Sequence, residues 1–160
     1  MFRTILARGV LVTGTAMATI IGTAVAASAS QPNITSVSFS GTAGPGVASP
    51  TVTITGSGFG ATAPKGTSDN STTCGFYSAN GDVYGAKLYF LDDANFEAGY
   101  SDSSGANCIG ITVVSWSASK VVLKFGNAYG TFARWYLANG DGYALSIKNA
   151  LWGGTVSGLS

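Results

Sequence analysis

Hydrophobic and polar residues alternate along much of the chain with the two-residue period of a β-strand. Val52 and Ile54, for example, share one face of a run whose other face carries threonine. The predicted strands are residues 34–39, 51–55, 87–91, 109–113, 120–125, 132–137 and 143–147. Clusters of glycine, proline, asparagine and aspartate separate them and predict turns. The pattern therefore predicts an all-β, antiparallel sandwich of about seven strands.

The first 29 residues have the pattern of an export signal. Arg3 and Arg8 precede or open an apolar run, and Ala27-Ser28-Ala29 fits a small-x-small cleavage site. Cleavage there removes 29 of the 160 residues and leaves 131, enough for one domain over residues 30–160. A retained membrane anchor is the alternative. No later apolar stretch reaches the roughly 20 residues that a spanning helix needs, so we expect a secreted, extracellular protein.

The charge of the mature chain argues against two classes of partner. Loss of two arginines with the signal leaves six basic and seven acidic residues, so the net charge falls from +1 to −1. The basic residues are scattered, which disfavours binding to nucleic acid or to a membrane surface. The chain has no histidine. That absence excludes histidine-based catalytic triads and histidine-ligated metal sites, and we expect no enzyme.

Two cysteines remain after cleavage, Cys74 and Cys108. In an exported chain such a pair is read first as a disulfide. Closing a loop of this length would stabilise the fold by about 3–4 kcal/mol on the chain-entropy model. Two free, buried cysteines are the alternative.

Several stretches resemble the IPT/TIG group of immunoglobulin-like domains. Residues 34–39 (ITSVSF) and 50–60 (PTVTITGSGFG) are similar to that family's first strand and its second strand of the type TITGxGFG. Residues 111–123 (ITVVSWSASKVVL) are similar to a strand pair of the family, and 140–148 (GDGYALSIK) to its last strand. The matched parts cover about half of the mature chain, whereas its centre is longer and carries the cysteine pair.

The resemblance implies an immunoglobulin-like β-sandwich that serves as a binding, spacing or accessory module. It carries no catalytic residues. The residues of the motifs also have a structural interpretation: Phe59 can plug one end of the sandwich beside strand-ending glycines. Trp116 is expected in the core or at its edge, with a ligand platform as the alternative.

Acidic residues cluster after the predicted strand 87–91. Asp93, Asn95 and Glu97 place oxygen ligands at alternate positions, which could supply part of a calcium site. No other cofactor is expected, and a solvated loop is the alternative. A glycosidase would need two carboxyls facing across a sugar; Asp92 and Asp102 belong to the same acidic cluster.

Aromatic residues crowd the last quarter of the chain, and they include Tyr129, Trp135, Tyr136 and Trp152. Exposed rings suit either the C–H faces of sugars or a protein interface. We take these four as candidate binding residues. A core built from its own aromatic rings is the alternative.

The sequence therefore predicts a secreted, non-catalytic immunoglobulin-like module that binds a cell-surface protein, a wall polymer or a polysaccharide. One alternative is a small secreted hydrolase that uses the loop carboxylates. Another is a structural surface protein that self-associates through its sheet edges.

Overall fold

The computed structural model describes residues 31–68, 81–93, 96–100, 108–131 and 135–160. These residues form eleven strands in two sheets, with one short 3-10 helix at Gly85–Lys87 and no α-helix. The prediction of an all-β fold is thereby confirmed. The predicted signal peptide lies outside the described residues. No helix in these ranges is long and apolar enough to cross a membrane.

The strands divide six to five between the sheets. The first sheet has the order β1 (Asn33–Ser40), β2 (Thr51–Ser57), β9 (Lys120–Phe125), β8 (Ile111–Trp116), β4 (Asp82–Val83) and β3 (Thr67–Ser68). The second has the order β11 (Ala150–Thr155), β10 (Gly142–Ile147), β5 (Leu88–Asp92), β6 (Glu97–Ala98) and β7 (Cys108–Ile109). All pairs are antiparallel apart from β6 and β7, which are parallel.

The core lies between the two sheets and is rich in aromatic rings. Phe90 of β5 stacks on Tyr143 of β10 with their ring centroids 5.3 Å apart. From the first sheet, Phe39 of β1 meets Tyr143 edge-on at 5.1 Å. Val52 and Ile54 point into the same core, as their alternation predicts. The contact between rings of opposite sheets fixes which face of each sheet is internal.

The predicted strand at 109–113 is divided between the two sheets. β7 ends at Ile109 in the second sheet and β8 begins at Ile111 in the first. Gly110 joins them, and its carbonyl accepts the N–H of Gly126 at 2.7 Å. Both isoleucines are fully buried, as the alternation of apolar residues predicts. The alternation does not predict that the chain passes from one sheet to the other between them.

The predicted strand at 132–137 is wrong at residues 135–137, which belong to no strand; residues 132–134 lie outside the described ranges. Local hydrogen bonds hold this segment as a loop. The N–H of Gly130 donates to the Trp135 carbonyl at 2.7 Å, and the N–H of Leu137 donates to the Tyr129 hydroxyl at 2.9 Å. The backbone groups that a ladder would use are therefore engaged within the loop.

The strand β11 is absent from the sequence prediction. It follows β10 through a two-residue turn at Lys148 and Asn149, whose φ angles of 48° and 73° are those of a type I′ hairpin. Gly153 and Gly154 conceal the strand, because glycine carries no side chain to show the period.

Candidate functional site: a tyrosine-lined cleft on the second sheet

The strand β5 carries large side chains on both of its faces. Leu88 and Phe90 point into the core, whereas Tyr89 and Leu91 alternate with them and point to the outer face of the second sheet. Both outer side chains are half-buried. Leu91 is directly opposite Glu97 of β6, so these two side chains share the outer face. The outer side of β5 is therefore apolar and aromatic with a carboxylate beside it.

A cleft of about 250 Å³ opens at this position. The described residues that line it are Ala86, Tyr89, Leu91, Glu97 and Tyr100. The Tyr89 and Tyr100 rings meet edge-on, with centroids 5.6 Å apart and planes inclined by 61°. The volume lies slightly below the roughly 300–1,000 Å³ of pockets that enclose drug-sized ligands. The cleft therefore has room for one small ring or one residue of a longer chain.

The outer face beside the cleft carries small side chains on β10 and β11. On β10, Ala144 lies opposite Leu91 and Ser146 opposite Tyr89. On β11, Gly153 continues the same row next to Ala144. On this face Ala144 is half-buried, Ser146 is 1% exposed and Leu151 is 72% exposed. The outer face beside the cleft is therefore covered at Ser146 and exposed at Gly153 and Leu151.

The aromatic residues singled out in the last quarter of the chain contribute mainly to the core. Tyr129 is 6% exposed, and burial raises the pKa of its phenol. Trp135, Tyr136 and Trp152 are half-buried and pack against the core. Trp152 lies opposite the buried Leu145 and therefore on the internal face of β11. Their predicted part in binding stays a prediction, and each has a packing role that accounts for its presence.

The acidic residues lie on different sides of the second sheet. Asp92 is 6% exposed at the core-facing end of β5, Asp93 is exposed, and Glu97 lines the cleft. Because Leu91 pairs with Glu97, the neighbouring Asp92 points to the opposite face. Asp92 and Glu97 thus do not face one another across the cleft. The remaining candidate acid, Asp102, lies outside the described residues.

The described part of the chain holds no group of three histidine, cysteine or acidic residues arranged to bind a metal. Asn95, the middle residue of the predicted calcium site, lies outside that part, so the site stays a prediction. Cys108 is 2% exposed in β7 and shares its register position with Glu97. Its predicted partner Cys74 also lies outside the described residues, and the disulfide stays a prediction.

Sequence reasoning overlooked Tyr89 and Tyr100. The signal that could have found Tyr89 is the run 87–91. Its odd and its even positions both carry large apolar or aromatic residues, which implies large side chains on the outer face of the strand as well as on the inner face. Tyr100 follows β6 after Gly99, whose φ of 74° turns the chain at this point. No periodic pattern in the sequence indicates that this turn brings its ring to Tyr89.

Comparisons of the chain with protein-family models, with curated proteins and with solved structures find no match.

Proposed function

We propose that this chain is a secreted, non-catalytic immunoglobulin-like module that binds a polysaccharide through the tyrosine-lined cleft. One observation carries the proposal: the Tyr89 and Tyr100 rings, 5.6 Å apart, converge with Glu97 in a cleft on the outer face of the second sheet. The predicted export signal accounts for an extracellular partner.

The chemistry of the cleft suits a sugar residue. A pyranose ring presents C–H groups on its faces and hydroxyls at its edge. The aromatic faces of Tyr89 and Tyr100 can pack against the former, while phenol and carboxylate oxygens can hydrogen-bond the latter. Beside the cleft, the half-buried Ala144 and the exposed Gly153 can accommodate neighbouring sugars of a chain.

A protein partner fits this cleft less well. A stable protein interface buries about 800 Å² on each partner and centres on a well-packed apolar patch. Of the described residues that line the cleft, one is a carboxylate, and the volume of the cleft is near 250 Å³. Its size and polarity favour one unit of a polymer over a folded surface.

The immunoglobulin-like part of the proposal is supported by contacts between the segments that resemble IPT/TIG domains. Phe59, fully buried, lies edge-on to Trp116 with ring centroids 6.3 Å apart. The Trp116 Nε1–H donates to the Gly60 carbonyl at 3.0 Å. Lys148 Nζ donates to the Phe59 carbonyl at 2.6 Å and lies 5.5 Å from the Trp116 ring centroid. Three segments that resemble one family thus meet at one corner of the molecule.

The proposal is tested by pull-down of the exported protein on a panel of insoluble polysaccharides. We expect at least one polymer to retain the wild type, and Tyr89→Ala or Tyr100→Ala to weaken retention. An aromatic contact contributes about 0.5–1.5 kcal/mol, so each ring should change the dissociation constant roughly two- to tenfold. Val114→Ala is the matched control, because Val114 is 55% exposed on the other sheet.

Two outcomes would contradict the proposal. Failure of every polymer to retain the wild type would reject polysaccharide binding, and undiminished retention of both tyrosine variants would move binding away from the cleft. Release of soluble sugar from a retained polymer would favour the hydrolase alternative instead. Glu97→Gln and Asp93→Asn would then test whether the acids near the cleft are responsible.

A further inference from the structure

The strand β11 forms one edge of the second sheet and its outward backbone groups can be identified from the register. The N–H groups of Asp93 and Lys148 donate to the carbonyls of Gly142 and Lys87 across the β5–β10 ladder. Along an antiparallel strand, successive residues direct their backbone N–H and C=O groups to opposite neighbours. On β10, the backbone groups of residues 142, 144 and 146 therefore bond to β5, whereas those of residues 143, 145 and 147 bond to β11. On β11 the residues opposite the latter set are 150, 152 and 154.

The N–H and C=O groups of Leu151, Gly153 and Thr155 therefore point away from the sheet. None of the backbone hydrogen bonds in the described ranges involves these three residues on that side. All three residues are exposed, Leu151 by 72%. Six backbone groups, three donors and three acceptors, are thus available along one edge.

The other sheet edges are protected in ways that β11 is not. β3 and β7 have two residues each, and an edge strand this short cannot pair stably with a further strand. β1 is longer, but its register shifts between Ile34 and Ser36, which interrupts a regular ladder. β11 runs over six residues with no charge, no proline and no register shift. It is the edge, among those described, on which a further strand can add.

We propose that β11 pairs with β11 of a second copy of this chain, antiparallel about a two-fold axis at Gly153. In this register Gly153 faces the partner's Gly153, and Leu151 faces the partner's Thr155. The pairing would form about six backbone hydrogen bonds and would place the exposed Leu151 of each copy against Thr155 of the other. A two-fold axis sets a strand against itself, so any charge on it would lie near a like charge. β11 has none, which makes this edge compatible with its own copy.

The pairing also has a consequence for ligand binding, which rests on the proposed function. A two-fold axis perpendicular to the sheet leaves the outer faces of both copies on the same side. Each cleft lies between β5 and β6, and strands are about 4.8 Å apart, so the two clefts would be separated by roughly 30 Å along one face. Two clefts at that spacing can bind the same polymer chain at the same time, which raises the apparent affinity without any new contact.

The proposal is tested by sedimentation velocity across a wide range of concentrations. We expect a concentration-dependent dimer for the wild type. In Leu151→Lys/Thr155→Lys each lysine faces a lysine of the second copy, and the dimer should weaken at least tenfold. In Leu151→Lys/Thr155→Asp each lysine faces an aspartate, and dimerisation should return to near the wild-type level. Both positions are exposed, and thermal melts monitored by circular dichroism verify that each variant folds.

A monomeric wild type at all concentrations would overturn the proposal. Equal dimerisation of all three proteins would place any interface elsewhere, and equal weakening of both variants would reject the register. The result is independent of sugar binding: a dimer that no polysaccharide retains would contradict the proposed function and leave the pairing intact.

Discussion

The outer faces of the two sheets present different side chains to solvent. On the first sheet, β2 turns Thr51, Thr53 and Thr55 outward, and Thr53 lies between Ser38 of β1 and Val122 of β9. On the second sheet, four outer positions are aromatic or aliphatic: Tyr89 and Leu91 on β5, Ala144 on β10 and Leu151 on β11. Ser146 and Glu97 are polar residues on the same face.

The fold itself does not require this difference. β2 and β5 bury alternate residues equally well, Val52 and Ile54 in one case and Leu88 and Phe90 in the other. Outer hydroxyls are at little disadvantage in water, whereas each Å² of apolar surface left exposed forgoes about 25 cal/mol. We therefore propose that the outer face of the second sheet, which keeps aromatic and aliphatic groups in contact with solvent, is the interaction surface.

The largest expected effect is a difference in the free energy of unfolding between variants on the inner and the outer face of β5. Phe90→Ala removes a fully buried ring that contacts four others, and we expect a loss of about 3–5 kcal/mol in the free energy of unfolding. Tyr89→Ala, one residue earlier on the outer face, should lose less than about 1.5 kcal/mol. Urea denaturation measures both. Equal losses would mean that Tyr89 belongs to the core and not to a binding face.

The next effect concerns the predicted Cys74–Cys108 disulfide, which would tie the outermost strand of the second sheet. Its reduction should destabilise the protein by about 3–4 kcal/mol. Mass spectrometry before and after reduction should show a gain of two hydrogens, and urea denaturation with and without reductant measures the stability. No mass gain would show that the two thiols are already free.

A smaller effect tests the tie between the two sheets. Lys148, in the β10–β11 turn, donates to the Phe59 carbonyl and lies over the Trp116 ring of the first sheet. Lys148→Ala should lower the free energy of unfolding by about 1–3 kcal/mol, because the bond is to a charged donor and the cation–π contact disappears. Lys87→Ala, at an exposed side chain, is the control and should change stability by no more than about 0.5 kcal/mol. Similar values for the two would show that Lys148 does not join the sheets.

The smallest effect appears at alkaline pH. Burial, with the Asp82 carboxylate beside it, raises the pKa of the Tyr84 phenol to about 12. The folded state then keeps a proton that the unfolded state loses near the ordinary pKa of about 10. Stability should therefore be unaffected by this group below pH 10 and fall as the pH rises from about 10 to 12. Tyr84→Phe should flatten that part of the profile in urea denaturation, and an unchanged slope would contradict the assignment.

Much of the fold follows from local pattern. The alternations at 34–39, 51–55, 120–125 and 143–147 fall within β1, β2, β9 and β10. Phe59 and Trp116 lie where their motifs place them, one fully buried and the other packed against the core. These features depend on which side of a strand is apolar, and the two-residue period determines that directly.

The cleft and the sheet edge could not be predicted in the same way. Tyr89 lines the cleft, and its neighbours across the ladder are Ser146 and, beyond it, Leu151. Those pairings join residues about sixty positions apart, and no local pattern encodes them. The sequence did not predict β11, because Gly153 and Gly154 interrupt the alternation of apolar and polar residues along it. The aromatic residues in the last quarter of the chain were predicted from the sequence as binding residues; they pack in or against the core, and their part in binding stays a prediction.

The most direct test compares the two faces on one polymer. Binding isotherms on an insoluble polysaccharide that retains the wild type would be measured for Tyr89→Ala/Tyr100→Ala and for Ser38→Ala/Thr53→Ala, with folding verified by thermal melts. We predict that the tyrosine pair raises the dissociation constant by about tenfold or more, while the hydroxyl pair leaves it unchanged. A loss of binding in the hydroxyl pair with none in the tyrosine pair would assign the interaction to the first sheet and contradict this account.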